Sequence, residues 1–397
     1  MKILVAHNAY HYRGGEDTLV DAEIAMLRRH GHDVMLYRRD NAELAGMASA
    51  RAAASALWSF RTIEEVRTLY RHFRPDLLHA HNIFPLISPS LYGVARQLGI
   101  PVVQTLHNFR LICPQAMLVR SGRACTDCVG RLPWRAVLHR CYRGSFAQTA
   151  VTSTMLAVHR LLGSWTHGVN RYIVLNRSSR DLFVSGGLPP AKLRIKPNFV
   201  ESSGMPQWTQ RDGGVFIGRL SPEKGLATLA RALQSLPDIT IDVYGKGPLQ
   251  PEVERTAGLR YCGFLSSQQL RQRMQRASYL VMPSTGMESF GLAAIEAFAC
   301  GLPVIATRQG GLAELVTHEK NGLLVEPGDA SALAAAITHA QAHPEQMRRM
   351  GIDAYQTWRT HYTPERNYEL LMRIYDEALT PLPSPMQAAD AKNRPGR

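Results

Sequence analysis

Long apolar runs are missing from this sequence. The opening segment MKILVAHNAY sets one lysine before four apolar residues, far short of a secretion signal or a membrane span, so a cytoplasmic protein is expected. No Asp-x-Asp pair occurs in the 397 residues, which removes the most compact carboxylate clamp for a divalent ion. No fixed-period repeat is visible, so a solenoid is not expected. Cysteine is sparse outside one stretch: Cys113, Cys125, Cys128 and Cys141 crowd together, while Cys262 and Cys300 stand alone. In a reducing cytosol such thiols stay mostly unpaired.

What is present describes a folded chain of two parts. Apolar residues make up 45% and charged residues 20%, the balance of an ordinary globular protein, and the length exceeds what one core supports. The net charge of +14 is uneven: the first 200 residues hold 26 Lys and Arg against 12 Asp and Glu, the remainder 20 against 20. A basic first half suits a nucleic acid, an anionic membrane face or an acidic small molecule.

Short apolar strands alternate with helical patterns. Ile3 to Ala6 precedes a loop with Gly14 and Gly15, after which Val20, Ile24 and Leu27 recur at helical spacing. Strands are predicted at Val34–Tyr37, Leu77–Ala80, Val102–Leu106 and Tyr172–Leu175. After a polar break at Glu201–Gly214 they resume at Val215–Ile217, Ile239–Tyr244, Leu280–Met282 and Val304–Ala306. Two Rossmann-like domains facing across a cleft are expected, 1–200 and 201–360, followed by a helix within 361–380 and a disordered, proline-bearing tail at 381–397.

The second half carries the sharper chemical signals. A strand ends at Phe216-Ile217-Gly218-Arg219 and leads into Ser221-Pro222-Glu223-Lys224-Gly225. Arg219 and Lys224 could stabilise the charge on a leaving diphosphate; the same pattern fits a surface ion pair with Glu223. Further on, Glu288 and Glu296 flank a helix start. Backbone N–H groups of Phe290, Gly291 and Leu292 suit a phosphate there, Glu288 can reach sugar hydroxyls, and Glu296 can accept from a ribose diol. Ordinary readings also exist, an acid favoured by the helix dipole and a solvated helix residue.

Taken jointly, GRLSPEKG, the Glu-x7-Glu pair, GLPVIAT and Gly-Gly-x-x-Glu resemble the retaining glycosyltransferases of family four. The resemblance spans nearly the whole chain and implies a GT-B fold with a C-terminal helix crossing back to the first domain. It also implies hexosyl transfer from a nucleoside-diphosphate sugar to a saccharide or lipid-linked acceptor, as in cell-surface polysaccharide synthesis. By position it assigns Arg219 and Lys224 to the diphosphate, Glu288 to the sugar, Glu296 to the ribose, Gly14 and Gly15 to the phosphates and His107 to the reacting centre. Anomeric configuration would be retained, with the donor phosphate taking the acceptor's proton and no cofactor required for catalysis. One departure is Gly245-Lys246-Gly247, where similar enzymes carry an acid between the glycines.

Other readings remain open at this stage. A sugar-nucleotide epimerase shares the fold, and a nucleic-acid-binding protein would use the basic half, although no nucleic-acid motif accompanies it. Cys113, Cys125, Cys128 and Cys141 could hold a structural zinc, with free thiols or a redox disulfide as alternatives. The Arg-rich stretch 110–143 with Trp134, and Leu57, Trp58 and Phe60, suit peripheral contact with an anionic inner membrane face, or else a core aromatic set beneath solvated arginines.

Overall fold

The computed structural model describes residues 1–10, 14–202 and 204–380; the tail expected to be disordered, 381–397, lies outside them. Strands β1 (Lys2–Ala9), β2 (Asp33–Asp40), β3 (Leu77–Ala80) and β4 (Val102–Thr105) are followed by an antiparallel hairpin, β5 (Val119–Arg120) and β6 (Arg123–Ala124), then by β7 (Arg171–Val174) and β8 (Leu193–Ile195). All but the hairpin form a six-stranded sheet in the order β2-β1-β3-β4-β7-β8. A second sheet contains β9 (Gly214–Ile217), β10 (Ile241–Tyr244), β11 (Leu259–Tyr261), β12 (Tyr279–Met282), β13 (Val304–Thr307) and β14 (Gly322–Val325), in the order β11-β10-β9-β12-β13-β14.

Every pairing within the two large sheets is parallel. Parallel strands are covered on both faces, so apolar residues run along them without alternating, and polar members such as His79 and Thr307 are hydrogen-bonded. The run Leu77–Ala80 and the run Val304–Thr307 are accordingly buried at every position. Separate apolar clusters cover the two faces of each sheet.

Strand order reverses once in each sheet, between β1 and β3 and between β9 and β12. At such a switch point the loops leaving adjacent strands diverge and open a crevice at their carboxyl ends. The sequence motifs fall in those loops: Gly14 and Gly15 after β1, Arg219 and Lys224 after β9, and Glu288 after β12.

The last helix, Pro364–Leu379, buries Leu371, Ile374, Tyr375 and Ala378 in the cluster that also holds Ile3, Val5, Leu19 and Leu27. It therefore packs on the first sheet although it follows the second. Burying four such side chains contributes roughly 1.5–3 kcal/mol for each large one. The two chain crossings are fastened to each other, with Val200 N donating to Tyr362 O (3.1 Å) and Trp358 Nε1 donating to Val200 O (3.1 Å).

Candidate active site between the two sheets

In the second sheet the loops after β9 and β12 interlock. Gly225 has φ of +75°, and a side chain there would run into the Pro283 carbonyl, so only glycine allows this approach. Thr285 N and Gly286 N donate to Glu223 O at 3.0 and 3.1 Å. The short turn brings Lys224 Nζ to 2.6 Å from Glu288 Oε1, which also accepts from Ser284 Oγ at 2.8 Å. Burial pushes the Glu288 carboxyl upward, but Lys224 outweighs it and holds the group below the ordinary range.

Arg219 behaves differently. Its Nη2 lies 2.6 Å from Glu223 Oε1 with the guanidinium side chain 58% exposed, which is the surface ion pair weighed above. The same nitrogen touches Met117 Sδ of the first domain at 3.3 Å. Each of the two cations thus faces its own carboxylate, and a diphosphate entering the turn would compete for both. Lys246 lies over the Phe264 ring at 5.0 Å.

Gly291, with φ of +106°, starts the helix Leu292–Ala299. Glu296 projects from the middle of that helix, where burial pushes its pKa up to about 7 against the pull of Arg271. A carboxyl so placed is half-ionised near neutrality, and donated hydroxyls would favour its charged form.

The first domain meets these loops directly. A Cβ on Gly15 would stand 3.0 Å from Leu292 Cδ2, so the N-termini of the helices Gly15–Arg29 and Leu292–Ala299 face each other, both favourable to anions. Asp17 accepts from Gly14 N (2.9 Å) and Tyr10 N (3.3 Å), with His7 Nε2 at 2.9 Å. Ser289 Oγ donates to His107 O at 2.6 Å, tying the Glu288 loop to the candidate histidine.

His107 does not stand alone. Its Nε2 lies 2.9 Å from His81 Nδ1, and His81 Nε2 lies 3.3 Å from Glu23 Oε1. Glu23 also meets His79 Nδ1 at 3.1 Å and Lys196 Nζ at 3.0 Å. Lys196 reaches Asn367 Oδ1 (2.9 Å) and His79 reaches Tyr375 Oη (2.7 Å), so the last helix closes the network. Burial pushes the Glu23 carboxyl up, yet Lys196 and His79 hold it well below the ordinary range. Burial lowers His81 to about 3 and, with His81 beside it, takes His107 well below the usual imidazole value. Both rings are neutral at ordinary pH. One proton is shared between His81 Nδ1 and His107 Nε2, so that side of His107 is committed to His81.

Sequence reasoning missed several of these groups. An acid at position 23, among Val20, Ile24 and Leu27, is an ionisable residue in an apolar stripe and so demands a partner; that signal was readable. Glu16, directly after the paired glycines, accepts from Tyr10 Oη at 2.9 Å and is pushed up to about 7 by burial. With His81, His107, Asn108 and Arg110 it lines a small pocket of about 30 Å³. Glu314, the acid of Gly-Gly-x-x-Glu, caps a helix of the other domain, accepting from Arg177 N (3.0 Å) and Ser178 N (2.6 Å). Asn176 Nδ2 donates to Ser289 O at 2.7 Å.

Comparison with known proteins adds to this geometry. The family profile "Glycosyltransferase Family 4" matches residues 13–203, and "Glycosyl transferases group 1" matches residues 211–343. The chain is 29% identical over 354 residues to 2-deoxystreptamine N-acetyl-D-glucosaminyltransferase of Streptomyces fradiae, covering 82% of this chain and 78% of that one. Among solved structures it superposes on sucrose-phosphate synthase from Thermosynechococcus elongatus with a TM-score of 0.71 at 19% identity, covering 95% and 98% of the two chains. HepE of Anabaena in complex with UDP-glucose gives 0.67 at 19%, covering 95% and 100%.

Proposed function

The chain belongs to glycosyltransferase family four and has the GT-B fold, and on that premise we propose that it moves a hexosyl group from a nucleoside-diphosphate sugar to a saccharide or lipid-linked acceptor with retention of configuration. The observation that carries this reading is the meeting of Lys224 and Glu288 at 2.6 Å in the second sheet's crevice, on a loop bonded through Ser289 to His107 of the first domain. Lys224 and Arg219 would take the diphosphate from their carboxylate partners. Glu288, released from Lys224, would accept sugar hydroxyls, and Glu296 the ribose diol. Gly14, Gly15, Gly218 and the backbone of Phe290, Gly291 and Leu292 would surround the phosphates.

In this account the acceptor oxygen attacks the anomeric carbon from the side of the departing phosphate. The bond to the phosphate oxygen breaks, and that oxygen takes the acceptor's proton, so no side-chain nucleophile is required. Fixed cations stabilise the charge that grows on the leaving group. His107, neutral and backed by His81, serves as a hydrogen-bonding group toward the sugar, not as an acid. The UDP-glucose bound by the Anabaena neighbour makes uridine-diphosphate hexoses the first donors to try.

The basic first domain carries the acceptor side of the proposal. No helix among the described residues is long and apolar enough to cross a membrane. Exposed apolar side chains instead gather on two helices that pack on one another: Trp134 and Leu138 on one, Phe146 and Leu161 (82% exposed) on the other. With Arg135 and Arg160 on the same helices, they support peripheral contact with anionic lipid, in keeping with a lipid-linked acceptor in polysaccharide synthesis. Vesicle flotation tests this: binding should require anionic lipid and fall with Trp134→Ser plus Leu161→Ser. Equal binding to neutral vesicles would remove the membrane part.

The transferase reading is tested by incubating the protein with a panel of nucleotide sugars and following the sugar by NMR. Slow hydrolysis or transfer that leaves the free nucleoside diphosphate supports it, whereas epimerisation of an intact donor overturns it.

A further inference from the structure

The segment 106–145, between β4 and the helix Phe146–Leu161, contains only the two-residue strands β5 and β6 and the five-residue helix Trp134–Leu138 as regular structure. Ala116, Leu118, Ser121, Arg140 and Arg143 all have left-handed φ angles between 49° and 70°, a conformation that L-residues adopt only against steric resistance. Phe109, Leu111, Ile112 and Leu118 anchor the near end in the core. The far end is less fully covered: Cys128 and Ala136 are buried, but Leu132, Trp134 and Leu138 are exposed. A cross-link would add to what burial provides there.

The cross-link is in view. Cys113, Cys125, Cys128 and Cys141, separated by 11, 2 and 12 residues, line one cavity of about 20 Å³ together with Arg120, Asp127 and Arg135. All four are free thiols. Stretches distant in sequence have been brought to one small space, and it takes two thiols, not four, to make a disulfide. We propose that the four cysteines bind a single zinc ion as a closed structural site, and that this staple holds the β5–β6 hairpin across the donor loops.

The surrounding charge fits that assignment. Zinc bound by four thiolates, each having lost its proton, carries two negative charges. Arg120 and Arg135 line the same cavity, bridged by Asp127 at 2.6 and 3.8 Å. Residues 110–143 hold seven arginines and one acid, an excess that an anionic centre would use. Among the described residues, the group of three or more metal-ligating atoms lying within 4.8 Å of one another is Glu23, His79 and His81, where Lys196 already supplies the cation at 3.0 Å. No three of the four sulfurs lie within 4.8 Å of one another, wider than the roughly 3.8 Å edge of a zinc–sulfur tetrahedron with bonds of about 2.3 Å, so zinc binding would draw the thiols together.

The hairpin's position gives the staple a consequence. Met117 touches Arg219, a Cβ on Gly286 would stand 2.8 Å from Val119 Cγ2, and Ser121 to Ala124 face Pro222, Thr285 and Gln309 across a groove. This second half of the proposal rests on the donor reading above; the zinc stoichiometry does not.

The test is elemental analysis of the untagged full-length protein purified under reducing conditions. About one zinc per chain, retained in Cys262→Ser and lost in Cys125→Ser plus Cys128→Ser, is the expected result. Stripping zinc from the wild-type chain with a chelator should accelerate amide exchange across 117–126 and raise the donor KM several-fold with little change in kcat, both reversed by adding zinc; this arm does not depend on the variant folding. Absence of metal, iron in place of zinc, a Cys–Cys disulfide in the fresh protein, or zinc persisting in the double variant would each overturn the site. Zinc present with no donor bound in either state would instead sink the donor reading alone.

Discussion

The two switch points are built in opposite ways. After β9 and β12 the functional side chains stand on two adjoining loops and pair within or between them: Arg219 with Glu223 four positions away, Lys224 with Glu288 on the other loop. Beside the first switch point, the candidate His107 after β4 depends on a buried chain, Glu23, His79, His81 and Lys196, that runs from the first helix to the last. The neutral domain presents charges to a ligand, whereas the basic domain consumes several of its ionisable groups internally. Function on the first side is therefore sensitive to stability, and on the second side to chemistry.

The widest separation between the two should come from Lys196→Ala against Lys224→Ala. Removing Lys196 leaves Glu23 buried without its cation, which costs about 3–5 kcal/mol of folding stability, measured by chemical denaturation. Removing Lys224, whose pair with Glu288 is only partly buried, should cost less, about 1.5–3 kcal/mol, while lowering kcat about 10²–10³-fold, read from initial rates. Similar stability losses in both variants would erase the contrast.

Glu314→Ala removes a cap supplied by one domain to a helix of the other and should cost about 1 kcal/mol; its effect on donor KM should exceed that of Asp329→Ala, a cap within one domain.

A pH series sharpens the contrast with less force. Glu296 rises from an ordinary 4.5 to about 7 in the folded protein, so its stability contribution is fully present below about 4.5 and is lost as pH rises through about 7. A ribose diol favours the ionised form, so donor binding should release a proton and tighten by up to about tenfold between about pH 6 and pH 8. Calorimetry in buffers of different ionisation enthalpy measures that proton, and Glu296→Gln should abolish the dependence.

This contrast also explains what the sequence could tell. The second-domain motifs were legible because partners such as Glu223 and Arg219 sit four positions apart and the Glu288 loop is continuous in the chain. The strands β1, β3, β9, β12 and β13 were legible because each carries a short apolar run, interrupted in β3 by His79. By contrast, β8 and β11 have three residues each, one of them buried, and nothing in so short a pattern separates a strand from a turn. The network around Glu23 was hidden because its members are far apart in the chain: Glu23 and Lys196 are separated by 173 positions, and His79 and Tyr375 by 296. His107 was found by resemblance, but its orientation toward His81 could not be, since that depends on how β3 and β4 align.

The central claim is that the second switch point holds a nucleotide-sugar. The most direct measurement is ligand-observed NMR of a panel of nucleoside-diphosphate sugars against the wild-type chain, Glu296→Ala and Lys224→Ala. The account predicts saturation transfer to ribose and diphosphate-proximal protons of one donor class, weakened in both variants while each remains folded. Binding that persists unchanged in both variants, or no binding by the wild-type chain, would contradict it.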